Sequence, residues 1–87
     1  MNIKIRECGG DYRVWTYSPT KKTVFGLSEE EIADLAVKKF FGRKAFFWRD
    51  NGLRDCGLFG QVCEPVSKKW GGGNTCLTGR VRIDIDS

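Results

Sequence analysis

The residues able to do chemistry in this chain are few, and their spacing argues against an active centre. Four cysteines stand at positions 8, 56, 63 and 76, and there is no histidine. A structural zinc site starts from two closely spaced thiolates, because one short turn must aim both at the ion. The gaps here, C-x47-C, C-x6-C and C-x12-C, provide no such knuckle, and no imidazole can complete a mixed site. A catalytic thiol needs a base or a cation beside it. Cys56 instead adjoins Asp55, and Cys63 adjoins Glu64, carboxylates that push a thiol pKa up. The cysteines are therefore expected to be reduced, small packing residues.

Two other patterns invite a chemical reading. Asp84 and Asp86 share one face of a strand, but a hard cation wants more oxygen ligands than two carboxylates supply. A solvated sheet edge that resists unwanted pairing explains them better. Gly71-Gly72-Gly73-Asn74-Thr75 superficially suggests a phosphate loop. It lacks the Lys-Ser/Thr that follows such loops, and a strand rather than a helix is expected after it. Permissive turn glycines account for it. The expectation is a protein that is not an enzyme and carries neither cofactor nor metal.

The elements that hold these residues can be read in turn. At 87 residues the chain is one domain spanning residues 1–87, with a small core. Its start has no unbroken apolar run of the kind a secretory leader needs, nor is any later run long enough for a membrane helix. A cytoplasmic protein that avoids membranes is the reading. Ile3 and Ile5 alternate with Lys4 and Arg6, the period-two mark of a half-buried strand. Gly9-Gly10-Asp11 turns the chain into a second strand over residues 12–17, and Thr23-Val24-Phe25 is a candidate third strand. Ser28 and Glu31 form a capping box, with Leu27 and Ile32 as its hydrophobic staple. Ile32, Leu35, Ala36 and Phe40 then make one helical stripe with Val37 alongside, and Gly42 closes the helix. Strands follow at 44–49, 58–63 and 80–86, with Asp50-Asn51-Gly52 as a hairpin signal and Gly60 as a bulge or close approach. The fold class is α+β, one helix on a twisted antiparallel sheet in the order β-β-(β)-α-β-β-β.

What remains for function is a surface. Net charge is +4, but residues 35–82 carry ten bases and three acids, an excess of +7, while the remainder is −3. That asymmetry predicts an electropositive side attractive to polyanions or acidic protein patches. Trp48 and Trp70 lie in the same stretch, although most of Phe40, Phe41, Phe46, Phe47 and Trp48 must serve the core. Lys68-Lys69-Trp70 beside three glycines has little local packing duty and reads as a contact loop. The candidate partner-binding residues are Arg43, Lys44, Arg49, Arg54, Lys68, Lys69, Trp70, Arg80 and Arg82. Interleaved bases and aromatics suit a nucleic-acid surface, and Trp with Arg suits a protein hot spot.

In layout the chain resembles small phage-encoded anti-CRISPR proteins, the inhibitors of type I CRISPR effector complexes. The likeness covers most of the chain. It lies in the extended start at Met1-Asn2-Ile3, the capped helix at Ser28-Glu29-Glu30-Glu31-Ile32, and the aromatic strands through Phe47-Trp48-Arg49-Asp50-Asn51-Gly52 and Gly57-Leu58-Phe59-Gly60-Gln61. Such inhibitors share no functional motif, so the resemblance transfers no binding residue. It implies a non-enzymatic viral inhibitor, a monomer or weak dimer, that occupies an effector subunit in the host cytoplasm and blocks target-DNA access. Many inhibitors that occlude DNA sites are acidic, whereas this chain is basic. That favours gripping an acidic protein patch or the bound DNA or RNA over mimicking DNA. The alternative from the residues alone is a small basic nucleic-acid-binding module.

Overall fold

The computed structural model describes residues 1–8, 12–50 and 58–86. Strand β1 (Asn2–Glu7) buries Ile3 and Ile5 fully and leaves Lys4 and Arg6 exposed. It pairs antiparallel with β2 (Val14–Tyr17), which sets Trp15 opposite Ile5 and Tyr17 opposite Ile3. Both aromatics therefore face the helix, where Trp15 packs on Phe41 with ring centroids 5.0 Å apart and Tyr17 meets Phe40 edge-on at 6.2 Å. The Gly9-Gly10-Asp11 turn lies outside the described residues, as do Asn51 and Gly52 of the hairpin signal.

The optional third strand at Thr23-Val24-Phe25 is not one. Residues Lys21–Val24 form a single helical turn, α1, N-capped by Thr20. The Thr23 N–H is taken both by Thr20 Oγ1 at 3.3 Å and by the Thr20 carbonyl at 3.1 Å, and the two hydroxyls sit 2.8 Å apart. Short polar side chains that bond the nearby backbone outcompete a ladder in this way. The element order is accordingly β-β-α-α-β-β-β.

Helix α2 (Glu29–Phe41) starts at the expected capping box: Ser28 Oγ accepts from the Glu31 N–H at 3.3 Å, and Glu31 Oε1 accepts from the Ser28 N–H at 3.2 Å. Its buried stripe is Ile32, Ala33, Ala36 and Val37, with Leu35 and Phe40 half-buried on its flanks. Two alanines on that line let the helix lie close on the sheet. Gly42 ends it at φ +109°, donating its N–H to the Lys38 carbonyl at 3.2 Å.

Strands β3 (Phe46–Arg49), β4 (Leu58–Pro65) and β5 (Asn74–Asp86) complete an antiparallel sheet of order β2-β1-β5-β4-β3. The last strand in sequence lies in the middle of the sheet, so Asp84 and Asp86 do not guard an edge as expected: β1 and β4 flank their strand on both sides. Val81 and Ile83 point from it into a core shared with Ile3, Ile5, Leu58, Val62, Phe47 and the helix stripe. Three polar links strap α2 to β3. Asp34 Oδ1 accepts from the Phe47 N–H at 2.7 Å, Lys38 Nζ donates to the Ala45 carbonyl, and Arg49 meets Glu30 at 2.6 Å. Among the described residues no helix is long and apolar enough to cross a membrane.

Gly60 is a close approach, as its place in the sequence implied. A Cβ there would lie 2.0 Å from the Trp48 carbonyl oxygen, and the three atoms nearest to it all belong to the backbone. Gly60→Ala is expected to lower stability by about 2–3 kcal/mol in urea unfolding, the cost of forcing β3 and β4 apart.

Candidate functional site

Strand alternation decides which residues meet. Since Ile3, Ile5, Val81, Ile83, Val62 and Phe47 face the helix, their neighbours face the other way, and no described element covers them. Register runs these across the sheet in rows. One row is Thr16, Lys4 and Asp84; the next is Val14, Arg6, Arg82 and Phe59; the third is Arg80, Gln61 and Trp48. Trp48 is 55% exposed on this face. Trp48, Arg49, Asp50, Gly60, Gln61 and Arg80 line a cleft of about 390 Å³. A second hollow of about 530 Å³ opens over Asn2, Lys4, Arg6, Thr16, Asp84 and Asp86.

The charges on this face are interlocked. Asp84 accepts from Arg6 at 2.7 Å and from Arg82 at 3.0 Å. Arg80 reaches Asp50 at 3.4 Å and lies over the Phe59 ring at 5.9 Å. Arg6 foremost, then Arg82, hold the Asp84 carboxyl below the ordinary carboxylate range against a smaller opposing effect of burial. At the β1–β2 end Arg13 does the same for Glu7, through a bond of 2.9 Å. Exposed pairs of this kind contribute little stability each, but they mix the sign of the surface.

Of the sequence candidates, Arg80 and Arg82 lie on this face and Arg49 at the margin of its cleft. The Arg49 Nη1 is committed to Glu30, while its Nε is buried without a partner among the described residues. Arg43 and Lys44 are exposed in the turn before β3. Lys68, Lys69 and Trp70 form a 3-10 turn between β4 and β5, capped by Ser67 Oγ on the Lys69 N–H at 3.3 Å. Gly71, Gly72 and Gly73 follow with φ of +95°, +73° and +82°, and Trp70 is 83% exposed. Phe46 opposes Cys63 and Cys63 opposes Cys76, so both basic loops belong to one end of the sheet. Arg54 lies outside the described residues. The +7 stretch is thus divided between a sheet face, a sheet end and the helix terminus.

Reading by segment missed Trp48 as a surface residue and missed Lys4, Arg6, Phe59 and Gln61 altogether. The signal was present: with Ile3, Ile5 and Phe47 inward, Lys4, Arg6 and Trp48 must face outward. The cysteines also depart from expectation, since Cys63 is buried but Cys8 and Cys76 are exposed. Among the described residues no three His, Cys, Asp or Glu side chains gather in one place. No protein-family model matches the chain, and no curated protein or solved structure matches it either.

The Asp84 pairs give a pH prediction. Its carboxyl stays charged to lower pH in the folded state than in the unfolded chain. Its stabilisation is therefore complete above the ordinary carboxylate range and is lost as pH falls below about 4. Asp84→Asn is expected to lower the thermal midpoint by a few degrees near neutrality. The gap between variant and parent should shrink toward zero as pH approaches about 2, in melts followed by circular dichroism.

Proposed function

We propose that this chain is a non-enzymatic binding protein that acts through the uncovered face of its sheet. On this reading it inhibits a CRISPR effector complex by occupying a subunit surface and blocking access of target DNA. The observation that carries the binding reading is the row of Trp48, Gln61 and Arg80 around a cleft that no described element covers. Tryptophan and arginine in one row of an open face are the residue types that dominate protein hot spots. The choice of an effector complex rests on the resemblance in layout to small anti-CRISPR inhibitors.

Charge favours a protein partner over a bare polyanion. Lys4, Arg6, Arg80 and Arg82 are interspersed with Asp84 and Asp86, and three of the four arginine and lysine side chains already meet a carboxylate. A phosphate backbone would have to displace those pairs and would still face the two aspartates. A protein surface carrying both signs can match them in place.

The second reading, a nucleic-acid-binding module, draws on Phe59 beneath Arg80 with Trp48 in the adjoining strand. Aromatic and guanidinium planes on an open sheet can stack unpaired bases.

Binding of the purified protein to a nuclease-treated type I effector complex separates the two. The expected result is retention with weak salt dependence, loss of target-DNA binding by the complex, and affinity weakened about 30-fold or more by Trp48→Ala. The nucleic-acid reading replaces it if binding disappears with nuclease. In that case shift assays with single-stranded oligonucleotides should show affinity falling steeply with salt.

A further inference from the structure

The strands β4 and β5 are not in uniform register. Gln61 opposes Arg80, but two residues later Cys63 opposes Cys76 rather than Thr78, which an unbroken antiparallel ladder would place there. The extra residues of β5 are taken up as a bulge between these pairs. Thr78 is buried in it: its Oγ1 accepts from the Val62 N–H at 3.3 Å and donates to the Gly79 carbonyl at 2.8 Å. The side chain thus fills the gap in the backbone ladder, and the displacement it sustains brings two cysteines face to face.

Their sulfurs are 3.6 Å apart, with the Cys63 thiol donating to Cys76 Sγ. Directly opposed residues of antiparallel strands have Cα separations of about 4.5–5.5 Å, inside the range a disulfide spans. Side-chain rotation can close the remaining gap to a bonded length of about 2.05 Å without moving the strands. The two thiols differ in access. Cys76 is exposed, whereas Cys63 is fully buried, and burial foremost, with the Cys76 contact behind it, pushes its pKa up to about 11.

We propose that Cys63 and Cys76 form a dithiol modification site that is oxidised to an intramolecular disulfide by small-molecule disulfides of the glutathione class. The exposed Cys76 thiolate attacks one sulfur of the external disulfide, forming a mixed disulfide and releasing one thiolate. Cys63, as thiolate, then attacks Cys76 Sγ, breaking the mixed disulfide and releasing the second. Two protein thiols are oxidised and one external disulfide is reduced to two thiols, which take up the two protons. The new bond closes a ring around the loop carrying Lys68, Lys69 and Trp70, and it restrains that loop in the unfolded chain as well. Cys76 also donates to Gln61 Oε1 at 3.6 Å, so the site adjoins the cleft at Trp48 and Arg80. Oxidation at this pair requires no ligand on the open face.

The test uses the folded wild-type chain incubated with oxidised glutathione, then alkylated and digested with chymotrypsin. Cleavage after Phe59 and Trp70 places Cys56, Cys63 and Cys76 on separate peptides. The expected product has the Cys63 and Cys76 peptides joined, at a mass two hydrogens below the sum of the two free-thiol peptides, until reduced. Its thermal midpoint should rise by about 5–15 °C, a rise that dithiothreitol reverses. Cys63→Ala should stop at a glutathionyl adduct on Cys76 with no such rise. A wild-type adduct that persists on Cys76, joining of Cys76 to Cys8 or Cys56 instead, or two thiols that remain unreacted would each overturn the proposal. So would a Cys63–Cys76 bond that forms only in urea.

Discussion

A five-stranded sheet has two faces, and the thirteen residues of α2 can cover only one. The constraint is one of area: a single helix about 20 Å long screens one side of a sheet this wide, and α1, at four residues, adds a patch over Val24. All large aliphatic side chains of β1 and β5 are therefore committed to the helix side. The opposite side must be made soluble by the residues that alternate with them. Its arginines, lysine and aspartates follow from that demand, and so does their arrangement in pairs. The exposed indole of Trp48 does not follow from it. A face that needed only solubility would have a polar residue there, which is why the indole bears on function while the ion pairs bear on solubility.

The central place of β5 ties the halves of the molecule together. β1 on one side comes from the start of the sequence and β4 on the other from its second half, and both hydrogen-bond to the last strand. The hairpin of β1 and β2 can form locally, but its buried isoleucines gain their partners only when Val81 and Ile83 arrive. Contacts of such long sequence separation are costly to close. The local devices that prepare for them are strong: a capping box at Ser28, a closing glycine at position 42, and two alanines that let α2 settle on the sheet.

These local devices are also what made the fold legible in the sequence. The capping box and the alternation at Ile3, Ile5, Val81 and Ile83 are governed by residues within a few positions of one another, and the structure has them as read. The misread segment, Thr23-Val24-Phe25, was decided by Thr20, whose hydroxyl offered the backbone a turn that β propensity did not anticipate. The face itself was harder to read, because it depends on register. That Arg6 and Arg82 converge on Asp84 needs β1 paired with β5 at one register and no other. Charge summed along residues 35–82 could not show that Arg80 answers to Asp50 and Arg49 to Glu30. The pairing of Cys63 with Cys76 was less accessible still, since a bulge creates it and an unbroken ladder would have hidden it.

Edge protection narrows which surface is open to a partner. An exposed edge strand invites another chain to add to the sheet, and β3 is such an edge. Its Phe47 N–H, however, is already taken by Asp34 from the helix, and Arg49 at its end is held by Glu30. A strand added there would have to break the Asp34 bond and leave a carboxylate facing the new backbone. The other edge, β2, is four residues long and offers few bonds. Both edges being poor templates, an incoming molecule gains more by lying across the strands than by extending them. The rows from Thr16 to Asp84 and from Arg80 to Trp48 are the surface that such a molecule would meet.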